Sequence, residues 1–171
     1  MGIFSRLFSK KNQSNQQEVK ERTVLNMEVG DIVSYDLVDY EVVGKIVYRD
    51  HGYEWTAYQL LEGKNTIWLS AEMDDELELG VYKTVQLPVS ETFPKTLNYE
   101  GKTYHLEEEG NAQVHGQGRS KQLSGRTIHY GDYVDEEEET FLSVETWGTE
   151  VEVSLGHPIE EYEIKIIAGS I

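Results

Sequence analysis

Beyond residue 30, apolar and polar side chains alternate along most of this chain, the period of a strand with one face buried. The stretch IVSYDLVDYEVVGKIVYR is dense in Val, Ile and Tyr, with turn residues between the runs. TAYQLLEG-KN-TIWLSAE reads as two strands about a Gly63-Lys64-Asn65 turn, and ELELGVYKTVQL continues the alternation. Pro88 and Pro94 bracket a connector. TLNYEGKTYHLEE predicts a hairpin about Glu100-Gly101, and a Gly-rich stretch follows it. In Glu150-Val151-Glu152-Val153 the valines share one face and the carboxylates the other, as in a half-buried antiparallel strand. Helix start signals occur at one place after the N-terminal tail, where Pro158 precedes Glu160 and Glu161; one or two turns are predicted there, with EIKII as a last strand.

The chain also repeats itself. Tyr35 and Tyr40 match Tyr99 and Tyr104. Trp68-Leu69-Ser70-Ala71-Glu72 matches Phe141-Leu142-Ser143-Val144-Glu145. Glu76-Leu77-Glu78-Leu79 matches Glu150-Val151-Glu152-Val153, with Gly156 close behind. The order is the same in both halves, and the spacings of 64, 73 and 74 residues drift only as loop insertions would make them. This predicts a mainly β fold. Two related antiparallel β lobes, with half-repeats at about 27–88 and 95–165, form one barrel- or sandwich-like domain over residues 23–171. Trp68 and Phe141 are expected at equivalent positions.

Charge separates residues 1–22 from the rest. Arg6, Lys10, Lys11, Lys20 and Arg22 against Glu18 and Glu21 leave the tail at +3, so the remainder of a chain of net charge −17 carries −20. Such a body repels nucleic acid and anionic lipid. Within the tail, Ile3, Phe4, Leu7 and Phe8 form one stripe of a short amphipathic helix, with Arg6, Lys10 and Lys11 off that stripe. This is the composition of an interfacial membrane anchor, and it equally suits packing onto the chain's own domain. Residues 12–22 read as a polar linker. Cysteine is absent, which excludes disulfides, thiolate metal sites and thiol nucleophiles. No apolar run is long enough to span a bilayer, and no secretory signal is evident, so a cytoplasmic location is expected.

Few motifs carry chemistry. HGQGRSKQLSGR gathers His115, Arg119, Lys121 and Arg126 among three glycines, a candidate anion or ligand site. It lacks the order of a phosphate-binding Walker loop, and a hairpin loop with solvated charges fits it better. Asp135-Glu136-Glu137-Glu138-Glu139 lacks calcium-loop spacing and reads as a solvated hairpin tip. The five histidines show no metal-ligand spacing, and no nucleophile elbow is present, so no catalytic residue, metal site or cofactor is expected. Tyr53, Trp55, Tyr58, Trp68, Phe141 and Trp147 fall at strand positions suited to core packing, or to lining a groove.

GDIVSYDLVDYEVVGKIVYRDHGYEW, AYQL, IWLSAE and LNYEGKTYHLEEEGNAQV together resemble the bacterial domain-of-unknown-function family 4178 over roughly residues 27–165. The resemblance carries over no activity and no catalytic residue. It implies a gene context of membrane-stress, phage-shock type and of polyamine-enzyme homologues.

These readings lead first to a non-enzymatic accessory or adaptor module. It would act near the inner face of the bacterial membrane through a protein partner with a basic surface, with weak anionic-membrane binding by the tail and no nucleic acid. The alternative is a small-ligand-binding β barrel with the 115–126 loop at its mouth. An unrecognised hydrolase or metal enzyme ranks third. A concave, aromatic-lined pocket favours the ligand binder, and a filled barrel with a flat acidic face favours the adaptor. Oligomeric state is open. For the tail, Arg6, Lys10 and Lys11 should each gain about 1 kcal/mol near an anionic leaflet. Sedimentation with anionic vesicles at low salt should carry the protein down, and Phe4→Glu with Phe8→Glu should abolish it. Wild-type protein left in the supernatant would rule the anchor out.

Overall fold

The computed structural model describes residues 21–169, so the predicted N-terminal helix and its residues Ile3 to Lys11 lie outside the described part. The chain forms eleven strands: β1 (Ile32–Tyr35), β2 (Val38–Asp50), β3 (Tyr53–Glu62), β4 (Asn65–Met73), β5 (Leu77–Val85), β6 (Thr96–Tyr99), β7 (Lys102–Gly118), β8 (Thr127–Asp135), β9 (Phe141–Trp147), β10 (Glu150–Ile159) and β11 (Ile164–Ala168). All pair antiparallel in the order β11-β1-β2-β3-β4-β5-β10-β9-β8-β7-β6, and β2 also pairs with β7. That last pairing closes β2-β3-β4-β5-β10-β9-β8-β7 into an eight-stranded barrel, with β6 and the β1–β11 pair as extensions.

The two halves have the same strand order, and local details repeat with it. Each opens on a two-residue hairpin whose central residues are left-handed: Asp36 and Leu37 in the first, Glu100 and Gly101 in the second. Positive φ at both central positions gives the turn the twist that adjoining strands need. Each half then carries a β-bulge at the same place, between Val42 and Gly44 in β2 and between Leu106 and Glu108 in β7. The bulge bends a long strand. Its first part pairs with the hairpin partner, and later residues cross to the other half, Gly44–Arg49 against Gln113–Gly118. Trp68 opposes Tyr82 on β5 and Gln59 on β3, and Phe141 opposes Gly156 on β10 and Val134 on β8. The two aromatics thus sit on corresponding strands and both line the cavity, but the register against the preceding strand differs by two residues.

Because side chains alternate, each barrel strand shows two faces. Outward faces build two separate cores. Val42, Tyr58, Leu60, Leu69, Ala71 and Val81 belong to the first, which the segment holding Val24 and Met27 and strand β11 cover. Tyr104, Tyr133, Leu142, Val144 and Val153 belong to the second, under Phe93 and Leu97. The covering segment is tied down by buried Asp31, which pairs with Arg22 at 3.0 Å, and by buried Lys45, which donates to the Met27 carbonyl at 2.9 Å. A third cluster, Ile46, Tyr48, Ala112, Val114, Ile128 and Tyr130, joins both halves inside the barrel.

Two local expectations need correction. Pro158 does not start a helix: β10 runs through Ile159, and the only turn of 3-10 helix there is Glu161–Glu163. Pro158 opposes Gly80 on β5, while β9 has already ended opposite Gly156, so the missing N–H falls on an unpaired edge. The acidic run is a turn at Glu136–Glu139, but Asp135 itself is buried. Asp135 accepts from the Glu139 and Thr140 amides, the Thr140 hydroxyl and Lys102 Nζ, an anchor for the turn.

Leu69 and Leu142 are both fully buried, in different cores. Each Leu→Ala change should cost about 2–5 kcal/mol, and the double variant should lose their sum to within about 0.5 kcal/mol. Urea denaturation of all four proteins measures this; strong non-additivity would mean that the halves share one core.

Candidate functional site

The barrel is hollow. A cavity of about 870 Å³ is lined by residues from all eight barrel strands, which identifies it as the lumen. Its chemistry follows from the alternation that built the outer cores. On β4, Leu69 and Ala71 point to the first core while Trp68, Ser70 and Glu72 point inward; on β9, Leu142 and Val144 point to the second core while Phe141, Ser143 and Glu145 point inward. On β5 and β10, Glu78 and Glu152 are likewise luminal. The repeated motif thus carries an outer apolar face and an inner face of aromatic, serine and glutamate.

Register then places carboxylates face to face. Glu72 lies directly opposite Glu78, Glu145 opposite Glu152, and Glu108 opposite Asp132. Like charges directly across a ladder repel. The result appears in their acidities. Burial, then Glu108 and Glu72, push Asp132 up to about 7. Burial, then Glu152 and Asp132, push Glu145 up to about 8, against the opposing effect of its hydrogen bonds. Burial first, and then a neighbouring carboxylate, also raises Glu72 and Glu152. Asp132 and Glu152 retain accessible surface, but it is surface of the cavity wall.

Aromatic groups hold these acids in place. Glu145 accepts from Tyr48 Oη at 3.1 and 3.2 Å and from Trp147 Nε1 at 3.1 Å. Tyr130 Oη donates to Asp50 at 2.7 Å and to Glu108 at 3.4 Å. Burial, then Glu145, hold the Tyr48 phenol well above its ordinary range, so it stays a donor. Trp55 stacks on Tyr48 at 5.1 Å and meets Tyr130 edge-on at 5.1 Å. A Cβ on Gly156 would sit 2.3 Å from the Tyr82 ring, so glycine there gives that ring its place in the lumen.

The basic cluster divides. Arg119 and Arg126 line the lumen, whereas His115 and Lys121 do not. The segment is more than a solvated hairpin loop. Ser120 is buried, Leu123 packs on the inner cluster, and Ser124 Oγ bonds both the amide and the carbonyl of Gly116 at 2.9 Å. A Cβ on Gly116 would fall 1.8 Å from the Ser120 carbonyl oxygen, so the fold-back requires glycine. Of the six aromatics singled out from sequence, Tyr58 lies in the first core and the other five line the lumen. The luminal acids escaped notice singly, since a chain with 32 Asp and Glu offers no reason to choose among them. The repeat was the signal, because Glu72, Glu78, Glu145 and Glu152 all lie within the matched segments.

Fold and lumen together define a closed antiparallel barrel with an acidic, aromatic interior. Residues 28–161 match the domain of unknown function DUF4178, and the chain belongs to that family. It is also similar to an uncharacterised protein of Mycobacterium bovis and to two of Mycobacterium tuberculosis, each 27% identical over 145 residues, which is 80% of this chain and 69% of the relative. No solved structure matches it. Among the described residues, no helix is long and apolar enough to cross a membrane.

The raised luminal pKa values set a direction for pH. A carboxyl group whose folded pKa is raised binds its proton in the native state where the unfolded chain has lost it. Stability should therefore fall as pH rises from about 4.5, near the unfolded value, through the folded values of about 7 and 8. Denaturation midpoints at pH 5.5, 7 and 9 should decrease in that order, and Glu145→Gln should flatten the trend. A midpoint that rises with pH across this window would contradict the luminal electrostatics.

Proposed function

We propose that this domain is a binding module that takes a small organic ligand into the barrel lumen. The observation that carries this reading is the cavity of about 870 Å³, within the 300–1,000 Å³ of typical small-molecule sites. The chain's three tryptophans, Trp55, Trp68 and Trp147, all line it. The presence of an aromatic-lined concavity favours ligand binding over the adaptor reading, and the 119–126 segment supplies part of its wall. An adaptor role at the membrane would rest on the tail, outside the described residues.

Turnover has one observation in its favour, the raised Glu145, which could serve as an acid near neutral pH. Against it, the cavity wall contains neither histidine nor lysine. Binding without reaction is the simpler reading, and a ligand recovered unchanged after long incubation supports it.

Because all three tryptophans are luminal, their fluorescence reports occupancy. A screen of small organic compounds should yield ligands that change tryptophan emission, compete for one site and raise Tm. Ser143→Phe, which puts a ring into the lumen, should abolish both effects while the protein stays folded. Ligands that bind Ser143→Phe undiminished, or a screen with no compound that alters emission, would overturn the proposal.

A further inference from the structure

We infer that the ligand is an organic cation with at least two positive charges, such as a linear diamine or triamine, held among the three facing carboxylate pairs of the lumen. This rests on the lumen being the binding site. It adds the chemical class of what enters.

The first support is the arrangement itself. Glu72–Glu78 and Glu145–Glu152 are the same pair built once in each half, and Glu108–Asp132 is a third. Directly opposed like charges weaken a sheet. Here they share one enclosed space, and nothing among the described residues neutralises them. None of the six takes part in an ion pair; the described pairs use other acids. The lumen's only basic side chains, Arg119 and Arg126, pair with none of them.

The second support is Asp132. It faces the lumen, burial together with Glu108 and Glu72 disfavours its charged form, and no hydrogen-bond donor reaches it among the described residues. A carboxylate held beside like charges without a donor is costly, and a cationic donor relieves the cost. By contrast Glu145, pinned by Tyr48 and Trp147, is already oriented.

The spread of the acids decides between kinds of cation. No three metal-ligating side chains converge among the described residues, so the carboxylates do not form a cage for one metal ion. They lie instead on β4, β5, β7, β8, β9 and β10, around a space large enough for an extended molecule. Six carboxyl groups around one space, with only Arg119 and Arg126 as cations in its wall, select a multiply charged ligand. Ammonium groups among tryptophan and tyrosine rings gain further from the ring faces.

Binding must then move protons. Asp132 faces Glu108 on β7, Glu72 on β4 and Glu145 on β9; Glu145 faces Glu152 on β10, with Tyr48 on β2 and Trp147 on its own strand. A cation among them favours their ionised forms, so each binding event should release protons to the solvent at pH 7.

The test is calorimetric and tryptophan-fluorescence titration at 150 mM salt with 1,4-diaminobutane and bis(3-aminopropyl)amine. Butylamine, 1,4-butanediol and succinate serve as singly charged, neutral and anionic controls. The amines of higher charge should saturate at one per chain, bind about tenfold or more tighter than butylamine, and give heats that depend on the buffer's ionisation enthalpy. Asp132→Asn and Glu145→Gln should each weaken them about tenfold, well beyond any effect on neutral luminal ligands. Glu136→Gln with Glu137→Gln and Glu138→Gln, on the exposed turn, should change nothing. Butanediol binding as tightly as the diamine, or amine association that never saturates and vanishes at 150 mM salt, would overturn the inference. If neutral compounds occupy the lumen and amines do not, the cation inference alone fails; if no compound of any charge alters tryptophan emission, the luminal reading fails with it.

Discussion

The pairing of Gly44–Arg49 on β2 with Gln113–Gly118 on β7 closes the sheet, and the rest of the molecule depends on that seam. Without it, β2 and β7 would be open edges with unpaired backbone groups. The inner faces of both halves would then look onto bulk water, where opposed glutamates are ordinary and weakly coupled. Closure turns two amphipathic half-sheets into a container. Backbones approach closely at the seam: Gly118 is left-handed, and a Cβ there would lie 2.4 Å from the Val43 carbonyl oxygen. The same stretch turns back into the loop that walls the lumen, so the closing contact and the Arg119 side of the cavity are one piece of covalent structure.

A container of this kind works against its own stability. Apolar burial is exported to the two outer cores, where Leu69 and Leu142 pack beneath the covering segments. The interior keeps groups that an ordinary core would reject, among them Glu145 at a pKa of about 8 and Asp132 at about 7. Proteins tolerate such groups chiefly where function needs them. The tyrosine and tryptophan donors that fix Glu145 reduce the cost only in part, since burial and Glu152 still raise its pKa. The unfavourable electrostatics and the binding proposal therefore concern the same atoms: a cation that relieves the repulsion would also stabilise the fold.

Duplication explains why the acids come in facing pairs. The half-repeat brings its own strand hairpin, bulge, aromatic and glutamate pair, and closure sets two copies around one axis. The halves have since diverged where they matter to the lumen: Glu108 and Asp132 of the second half occupy the positions of Gly44 and Gln59 in the first. The loop between β7 and β8, with Arg119 and Arg126, has a two-residue turn at His51 and Gly52 as its counterpart between β2 and β3. The site is thus asymmetric within a nearly symmetric frame, which suits a ligand whose two ends differ in their surroundings.

Period-two alternation, Gly and Pro punctuation and the internal repeat were enough to read from the sequence a mainly β fold with two related halves, because strand formation, tight turns and register within a hairpin are local properties. Local signals also misled at Pro158, where the absence of a neighbouring strand on one side permits a proline that the chain alone reads as a helix start. The sequence further determined which residues share a strand face, including the glutamates of Glu150–Val153. It left undecided which face is inside. Alternation is the same whether the polar face meets solvent or a lumen, and only the long-range pairing of β2 with β7 and of β5 with β10 decides between them. That decision turns a surface-like row of carboxylates into an enclosed site, since the field of a charge depends on what surrounds it far more than on its neighbours in the chain.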